Sequence, residues 1–508
     1  MKPNIVIIMA DQLAPHFCGA YGHKIAKTPN IDSLAKRGMR FDAAYCNSPL
    51  CAPSRFSFMS GQLVSRIAAY DNASEFKAST PTFAHYLKTL GYRTCLSGKM
   101  HFVGPDQKHG FQDRITTDIY PSDFAWTPDW EAPDERIDKW YHNMQTIKES
   151  GVAVATFQTD YDDEVGFAAR RWLIDRGRNK ANGNKEPFAM VASFIHPHDP
   201  YVAKPEWWNL YSDDEIELPE CKIAPEKMDP FSRRLMDGIE ASYVPLTDEE
   251  VIRARRAYLA NVSYFDSKVG EIVKTLEDIR EIENTLIIIT ADHGDMLGER
   301  GLWYKMNFFE HSARVPLIFS GPGVVKGATR NACSLVDILP TLLEVAGGGK
   351  GMLGEPIDGR SLLPLARGEK DKKNEAIGEY CAEMTPYPVF MIRRDNFKYI
   401  HCDPDPPQLY KLDEDPLEKN NLAFDSNYSS LVENFSIEVS ERWNSEKLRL
   451  DIINTQKSRR ALHSAMEAGA GEHWDYDPPS DASQQYVRNH MDWTIAAKHY
   501  RFPPLRKK

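Results

Sequence analysis

Asn4-Ile5-Val6-Ile7-Ile8-Met9 is an almost continuous apolar run near the start of the chain, and Asp11 follows it closely. Two later runs have the same form, at residues 188–195 and 284–290. Continuous apolar runs without alternation are typical of parallel strands that are covered on both faces. The three runs therefore predict a buried, mainly parallel sheet.

Helix signals lie between the apolar runs. Thr28-Pro29 predicts the start of a helix and Gly38 predicts its end. Thr80-Pro81 opens a second stretch of the same kind, which ends at Gly91 and leads into a strand over residues 92–96. Alternating strands and helices predict an α/β fold with a mainly parallel sheet and flanking helices.

Polar side chains follow four of these predicted strands. Ligands of open α/β sheets bind beyond the carboxyl ends of the strands, so side chains at those ends should meet at one edge. Each of them alone would more often be a solvated loop residue, but six in register across four strands predict a functional site. The six are Asp11, Lys99, His101, His198, Asp292 and His293.

The last third of the chain changes character. Short strand-like runs at residues 379–383, 389–393 and 397–401 predict a small antiparallel sheet, with Asp395-Asn396 as a turn. Residues 427–470 are expected to be helical. We therefore predict a catalytic domain over 1–375, a small sheet-and-helix subdomain over 376–470, and an extended tail over 471–508. Such a tail must lie on its own body or on a neighbouring subunit to be ordered.

The composition limits the partners and the compartment. The chain has 508 residues, a net charge of −11 and 42% hydrophobic residues, which argues against nucleic acid or an anionic membrane as partner. The first apolar run is too short for a signal segment, and no run of about 18 apolar residues exists. Eight cysteines without a CxxC pair indicate reduced thiols. We therefore expect a cytoplasmic protein.

Cys51-Ala52-Pro53-Ser54-Arg55 carries the strongest chemical signal. As a bare pattern it is weak, since a buried inert cysteine before a proline turn would explain it equally well. Together with Gly98-Lys99-Met100-His101, Asp292-His293-Gly294 and residues 409–422, however, it resembles the sulfatase family, which has an alkaline-phosphatase-like fold. In that family this motif is read by a formylglycine-generating enzyme, which oxidises the thiol to an aldehyde.

Further stretches are similar to one branch of that family. Asp71-Asn72, residues 124–127, Tyr304-Lys305-Met306-Asn307 and residues 489–494 look like the choline sulfatases. This resemblance implies a sulfuric ester hydrolase that cleaves choline O-sulfate to choline and sulfate. It also implies a homo-oligomer, a dimer or a tetramer, in which the tail could complete a neighbouring site.

The resemblance implies a divalent metal site formed by Asp11, Cys51, Asp292 and His293. Many sulfatases have two adjacent aspartates at the first position and an asparagine after the later aspartate, whereas this chain has Gln12 and His293. An all-oxygen site prefers Ca²⁺ or Mg²⁺, and an imidazole ligand favours Mn²⁺ or another transition metal. The choice between Ca²⁺ and Mn²⁺ is left open.

The same resemblance assigns the remaining roles. Lys99 and Lys305 would place positive charge around the sulfate oxygens, and Arg55 would hold the aldehyde hydrate by a forked hydrogen bond. His198, with Lys305 beside it, would protonate the leaving group, and His101 would take a proton to expel sulfate. A quaternary ammonium group needs aromatic faces and carboxylates. The substrate-binding residues implied are Asn72, Trp126, His142, Glu383 and Asp492.

Two other functions remain open at this point. One is a phosphonate or phosphodiester monoester hydrolase, or an arylsulfatase, of the same superfamily. A pocket with carboxylates disfavours anionic diesters, so Glu383 and Asp492 argue against the phosphonate or phosphodiester monoester hydrolase. The other is a non-catalytic binding protein on a sulfatase fold, in which Cys51 would stay a thiol.

Overall fold

A computed structural model describes residues 2–132, 142–371, 373–469, 471, 473–479, 492–499 and 501. The strands of these described residues are, in chain order, β1 (Asn4–Ala10), β2 (Met39–Phe41), β3 (Ala44–Tyr45), β4 (Arg93–Gly98), β5 (Asp113–Arg114), β6 (Gly151–Val152), β7 (Phe188–Ser193), β8 (Val202–Ala203), β9 (Thr285–Ala291), β10 (Leu317–Ser320), β11 (Gly327–Thr329), β12 (Cys333–Ser334), β13 (Glu375–Tyr380), β14 (Val389–Arg394), β15 (Phe397–Cys402) and β16 (Gln408–Lys411).

The α-helices of the described residues lie mostly between these strands. They are α1 (Pro29–Arg37), α2 (Cys51–Ser60), α3 (Val64–Ile67), α4 (Phe83–Thr89), α5 (Met144–Lys148), α6 (Phe157–Ala181), α7 (Pro205–Trp208), α8 (Pro230–Gly238), α9 (Asp248–Asp278), α10 (Glu310–Ala313), α11 (Ile338–Val345), α12 (Leu363–Ala366), α13 (Ser429–Arg442), α14 (Ser445–Met466) and α15 (Trp493–His499). No described helix is both long and apolar enough to cross a membrane.

The central sheet has eight strands in the order β11-β2-β10-β9-β1-β7-β4-β5. The five strands from β9 to β5 pair in parallel, and β10 is antiparallel to both of its neighbours. Every residue of β1, β7 and β9 is buried, as continuous apolar runs require. The predicted α/β fold with a mainly parallel sheet is confirmed.

Two predicted boundaries need correction. The second predicted helix is α4, and it begins at Phe83, because Thr82 rather than Thr80 forms a reciprocal capping box with His85. The first strand of the small sheet is Glu375–Tyr380, four residues earlier than predicted, since Tyr380 pairs with Val389 and the chain turns just after it. Helix α1 begins at Pro29, as predicted, and ends at Arg37, directly before Gly38.

The small sheet is antiparallel, with the order β13-β14-β15-β16. Helices α13 and α14 cover it through an apolar cluster that includes Phe390, Tyr399, Phe435 and Ile452. The described start of the tail lies on its own chain, because Trp474 packs on Phe124 with ring centroids 5.3 Å apart. The predicted contacts of residues 480–491 lie outside the described residues.

Candidate active site

Cys51 lies at the start of α2, directly above the carboxyl ends of β1 and β9. Its Sγ is 3.4 Å from His293 Nε2 and 3.9 Å from Asp11 Oδ1. All three side chains are fully buried. Burial, followed by the charge of Asp11, raises the pKa of the Cys51 thiol to about 11. An unmodified Cys51 is therefore a protonated thiol at neutral pH.

Four side chains around Cys51 could hold a metal ion together. One ligand atom from each of Asp11, Cys51, Asp292 and His293 lies within 4.8 Å of all the others. Nδ1 of His293 is 3.0 Å from the carbonyl oxygen of Gly294, so this nitrogen carries the proton and Nε2 offers its lone pair to the cluster. A backbone carbonyl that fixes the tautomer in this way is usual for metal-bound histidine. The donor set therefore fits a divalent cation.

Arg55 lies one helical turn after Cys51 but binds the aspartates. Its Nε donates to Asp292 at 2.8 Å and its Nη2 donates to Asp11 at 3.3 Å, while Nη1 reaches the Lys99 carbonyl and Ser193. These partners differ from the predicted forked contact with the nucleophile. The reason is that the turn of α2 directs Arg55 toward the strand ends, where it holds both carboxylates in place.

Lys99 follows β4 and reaches the same carboxylate from the other side. Its ammonium binds Asp11 and lies 4.1 Å from the ring centroid of Tyr120. Asp11 thus accepts from two cations, and although burial alone would raise its pKa, Lys99 and Arg55 hold that pKa well below the usual value. The carboxylate is therefore ionised over the physiological range.

Lys305 and His198 form a pair next to this centre. Lys305 Nζ is 2.9 Å from His198 Nε2, and His198 Nδ1 is 2.6 Å from the carbonyl oxygen of Asp199. The pKa of His198 is well below its ordinary value because of burial first and the charge of Lys305 second. Lys305 therefore carries the proton, and His198 accepts a hydrogen bond from it.

Gln12 connects this pair to two buried aspartates. Its Oε1 accepts from Lys305 at 2.6 Å, while its Nε2 donates to Asp295 at 2.7 Å and to Asp199 at 3.2 Å. Burial raises the pKa of Asp199 to about 7. Asp295 also accepts from Tyr201 at 2.7 Å.

His101 has an unusual backbone and an uncommitted ring. Its φ is +56°, a left-handed conformation that is rare for a residue with a side chain. Asp118 holds this turn by accepting from the backbone nitrogens of Met100 and His101. Among the described residues, neither ring nitrogen of His101 has a hydrogen-bond partner. The ring lies edge-on to Trp126, with centroids 5.7 Å apart.

The predicted substrate-binding residues are brought together only in part. Trp126 and His142 lie close to the centre, since Trp126 contacts Tyr120 and His142 contacts Tyr304. Asn72 is buried, and its Oδ1 accepts from the backbone nitrogen of Ala52 at 3.0 Å. Glu383 is half-buried in the turn after β13.

Asp492 is exposed, and its carboxylate accepts from the backbone nitrogens of Thr494 and Ile495 at the start of α15. None of these described hydrogen bonds links it to the cluster around Cys51. Its predicted substrate contact thus has no support from the described contacts of this chain.

Sequence patterns did not reveal several residues of this site. Tyr120 contacts Lys99, His101 and Trp126 from an irregular loop that has no periodicity. Asp118 lies in the same loop. The only available signal was the local richness in polar and aromatic residues between β5 and α5, which is too general to select either of them.

Family models match most of the chain. The model described as Sulfatase matches residues 3–348, that described as N-sulphoglucosamine sulphohydrolase, C-terminal, matches 298–445, and that described as Choline sulfatase enzyme C terminal matches 450–502. The chain is 45% identical to the choline-sulfatase of Rhizobium meliloti (strain 1021), over 99% of each protein.

Solved structures have the same fold at lower identity. The phosphonate monoester hydrolase of Agrobacterium radiobacter superimposes with a TM-score of 0.68 at 22% identity, covering 91% of this chain and 96% of that one. BT1596, a 2-O GAG sulfatase, superimposes with a TM-score of 0.67 at 23% identity, covering 91% and 94%. These two likenesses concern the fold alone.

Proposed function

Because the chain belongs to the sulfatase family, we propose that it hydrolyses choline O-sulfate to choline and sulfate. The observation that carries this proposal is the buried cluster of Cys51, Asp11, Asp292 and His293 at the start of α2. The 45% identity to a choline-sulfatase over nearly the whole chain and the matching carboxyl-terminal family model support the choice of substrate.

The family uses a formylglycine and a divalent metal. Oxidation of Cys51 by a formylglycine-generating enzyme would supply the aldehyde whose hydrate is the nucleophile. Asp11, Asp292, His293 and position 51 would hold one divalent ion, Ca²⁺ or Mn²⁺, and the imidazole ligand favours Mn²⁺. When bound, this ion polarises a sulfate oxygen and acidifies the hydrate.

Lys99, Lys305 and Asn72 would bind the sulfate group. Both lysines are fully buried, and an ammonium group in a low-dielectric site stabilises developing negative charge far more than it does in water. With its Oδ1 committed to Ala52, Asn72 would present its amide nitrogen as a donor. Arg55 would hold Asp11 and Asp292 in place through its hydrogen bonds to both carboxylates.

The proton movements would use two separate groups. The hydrogen bond from Lys305 to His198 Nε2 supports this pair as the source of the proton for the departing choline oxygen, with Lys305 holding it. Burial and the charge of Lys99 hold the pKa of His101 well below its ordinary value, so the unprotonated nitrogen of its ring could accept a proton released at position 51. Gln12 would align the acid by accepting from Lys305.

The choline group would meet aromatic faces and acidic groups. The ring centroids of Trp126 and Tyr120 lie 5.1 Å apart, next to His101. Cation–π contact with a quaternary ammonium group contributes roughly 0.5–2 kcal/mol. His142 and Glu383 would complete this pocket. Asp492 would join it through the tail, either of the same chain or of a neighbouring subunit in a homo-oligomer, a dimer or a tetramer.

All eight cysteines are free, which supports a cytoplasmic location.

The test compares kcat/KM of metal-loaded protein for choline sulfate, an aryl sulfate and an aryl phosphonate monoester. We expect a preference for choline sulfate that falls at least about tenfold in Glu383→Gln, since the lost carboxylate faces a fixed cation. Glu433→Gln, an exposed change on α13, is the matched control. A preference for the phosphonate would refute the proposed substrate and leave the fold and nucleophile unchanged.

Mass spectrometry of the peptide that contains Cys51 separates an enzyme from a non-catalytic binding protein. We expect an aldehyde at position 51 after co-expression with the maturation enzyme. A thiol that persists under those conditions, together with absent turnover, would favour the binding protein.

A further inference from the structure

Helix α14, which lies far along the chain from the nucleophile, reaches the active site through Arg459. Its Nη1 and Nη2 donate to the two oxygens of Asp71 at 2.6 and 2.7 Å. The Asp71 side chain is fully buried and that of Arg459 is 8% exposed. This is a buried bidentate salt bridge, and its two parallel hydrogen bonds fix the orientation of the Asp71 carboxylate relative to the guanidinium group.

Asp71 organises the turn that carries Asn72. Its Oδ1 also accepts from the backbone nitrogen of Ala73 at 3.0 Å and from Ser74 Oγ at 3.1 Å. Asn72 in turn accepts from the nitrogen of Ala52, the residue next to Cys51. A continuous chain of contacts therefore runs from Arg459 through the turn to the start of α2.

The same face of α14 also holds the loop that contains Trp126. Arg459 Nη1 lies 3.4 Å from Thr127 Oγ1, and Gln456 accepts from the backbone nitrogen of Trp130 at 3.0 Å. Arg460 donates to the carbonyl of Pro128 at 3.2 Å. Residues three and four apart share one face of a helix. One face of α14 therefore contacts both the turn that carries Asn72 and the loop that contains Trp126.

A buried ion pair gives little net stability, because removing two charges from water costs about as much as their attraction returns. Its presence here fits a geometric role better than a stabilising one. We propose that Arg459 is a positioning residue, which fixes Asn72 relative to Cys51 for binding the sulfate group; this rests on the proposed function. Without Arg459, the buried Asp71 carboxylate lacks its cation and the turn must rearrange.

The test is a double-mutant cycle between Arg459→Met and Asn72→Ala. Its readouts are kcat/KM for choline sulfate and for 4-nitrophenyl sulfate, and the Kd for inorganic sulfate. Arg459→Met is expected to lower kcat/KM and to weaken sulfate binding by about tenfold, and to have almost no further effect when Asn72 is already alanine. Arg459→Lys is expected to recover part of the loss.

The control is Arg394→Met, which removes a guanidinium that pairs with Glu375 and Glu438 away from the site. It should lower Tm without changing kcat/KM. If Arg459→Met does not fold, Asp71→Asn replaces it, because this change removes the charge while keeping an oxygen for Ala73. Equal effects of Arg459→Met with and without Asn72 would overturn the proposal.

Failure of the proposed function has a different signature. Wild-type protein that cleaves 4-nitrophenyl sulfate but not choline sulfate would refute the choline substrate, and the cycle would still be read with the aryl ester. If no ester is cleaved, the Kd for inorganic sulfate alone decides whether Arg459 acts through Asn72.

Discussion

At the scale of single residues, the tautomers of two buried histidines organise the chemistry. Nδ1 of His293 faces the carbonyl oxygen of Gly294, and Nδ1 of His198 faces that of Asp199. In each case the carbonyl of the next residue in the chain fixes the proton on Nδ1, so that Nε2 carries the lone pair. The Nε2 atoms of the two rings have different neighbours, since His293 Nε2 faces the carboxylate of Asp11 and His198 Nε2 faces Lys305.

His293 should decide which metal the protein prefers. Replacement by asparagine exchanges a borderline nitrogen ligand for an oxygen ligand, so Mn²⁺ binding should weaken by about tenfold to a hundredfold while Ca²⁺ binding changes much less. Calorimetric titration of the metal-free variant measures both affinities. His401→Asn, in the small sheet, is the control, and unchanged Mn²⁺ affinity in His293→Asn would exclude His293 as a ligand.

At the scale of elements, the end of β4 depends on the absence of a side chain. Gly98 has a φ of +98°, and a Cβ there would lie 1.9 Å from the carbonyl oxygen of Ser193 in β7. Close approach of the two strands brings Lys99 over Asp11, and the Lys99 nitrogen donates to that same carbonyl at 3.0 Å. A local backbone constraint thus positions a catalytic candidate.

Gly98→Ala should therefore destabilise the protein by more than about 2 kcal/mol, because strain and a backbone clash add together. It should also lower kcat, since Lys99 is displaced. Gly183→Ala is a matched control, with a φ of +95° and open space around the new Cβ, and should cost only about 1 kcal/mol. Urea unfolding measures both, and equal losses would show that the contact with Ser193 is unimportant.

At the scale of the whole molecule, one buried lysine joins the small sheet to α10 and the loop that precedes it. Lys398 of β15 lies 2.7 Å from Glu310 and 2.9 Å from Glu418, and it donates to the carbonyl of Phe308. Burial alone would raise the pKa of Glu310, but Lys398 lowers that pKa to about 2. This junction lies just beyond the segment that contains Lys305.

Lys398→Met should destabilise the protein by about 3–5 kcal/mol at pH 7, since it leaves buried carboxylates without their cation. The lowered pKa of Glu310 gives wild-type protein stability that is present above the ordinary value of 4.5 and is lost as the pH falls toward 2. The difference in the free energy of unfolding between Lys398→Met and wild type should therefore become smaller as the pH falls.

Urea unfolding at pH 7 and near pH 4 checks this expectation. Lys411→Met removes a lysine of β16 whose partner, Glu414, is exposed, and should leave the free energy of unfolding almost unchanged. If the difference in the free energy of unfolding between Lys398→Met and wild type becomes larger at low pH, Lys398 does not act through Glu310.

The sequence alone determined the α/β fold, the small antiparallel sheet and the residues at the strand ends, including Asp11, Lys99 and Asp292. These follow from local patterns, because apolar periodicity sets each element and parallel strands bring their carboxyl ends together. The partners of Arg55, the surroundings of Tyr120 and the contact of Arg459 with Asp71 were decided by the tertiary structure. Arg459 and Asp71 are 388 residues apart, and no local pattern encodes the packing that joins them.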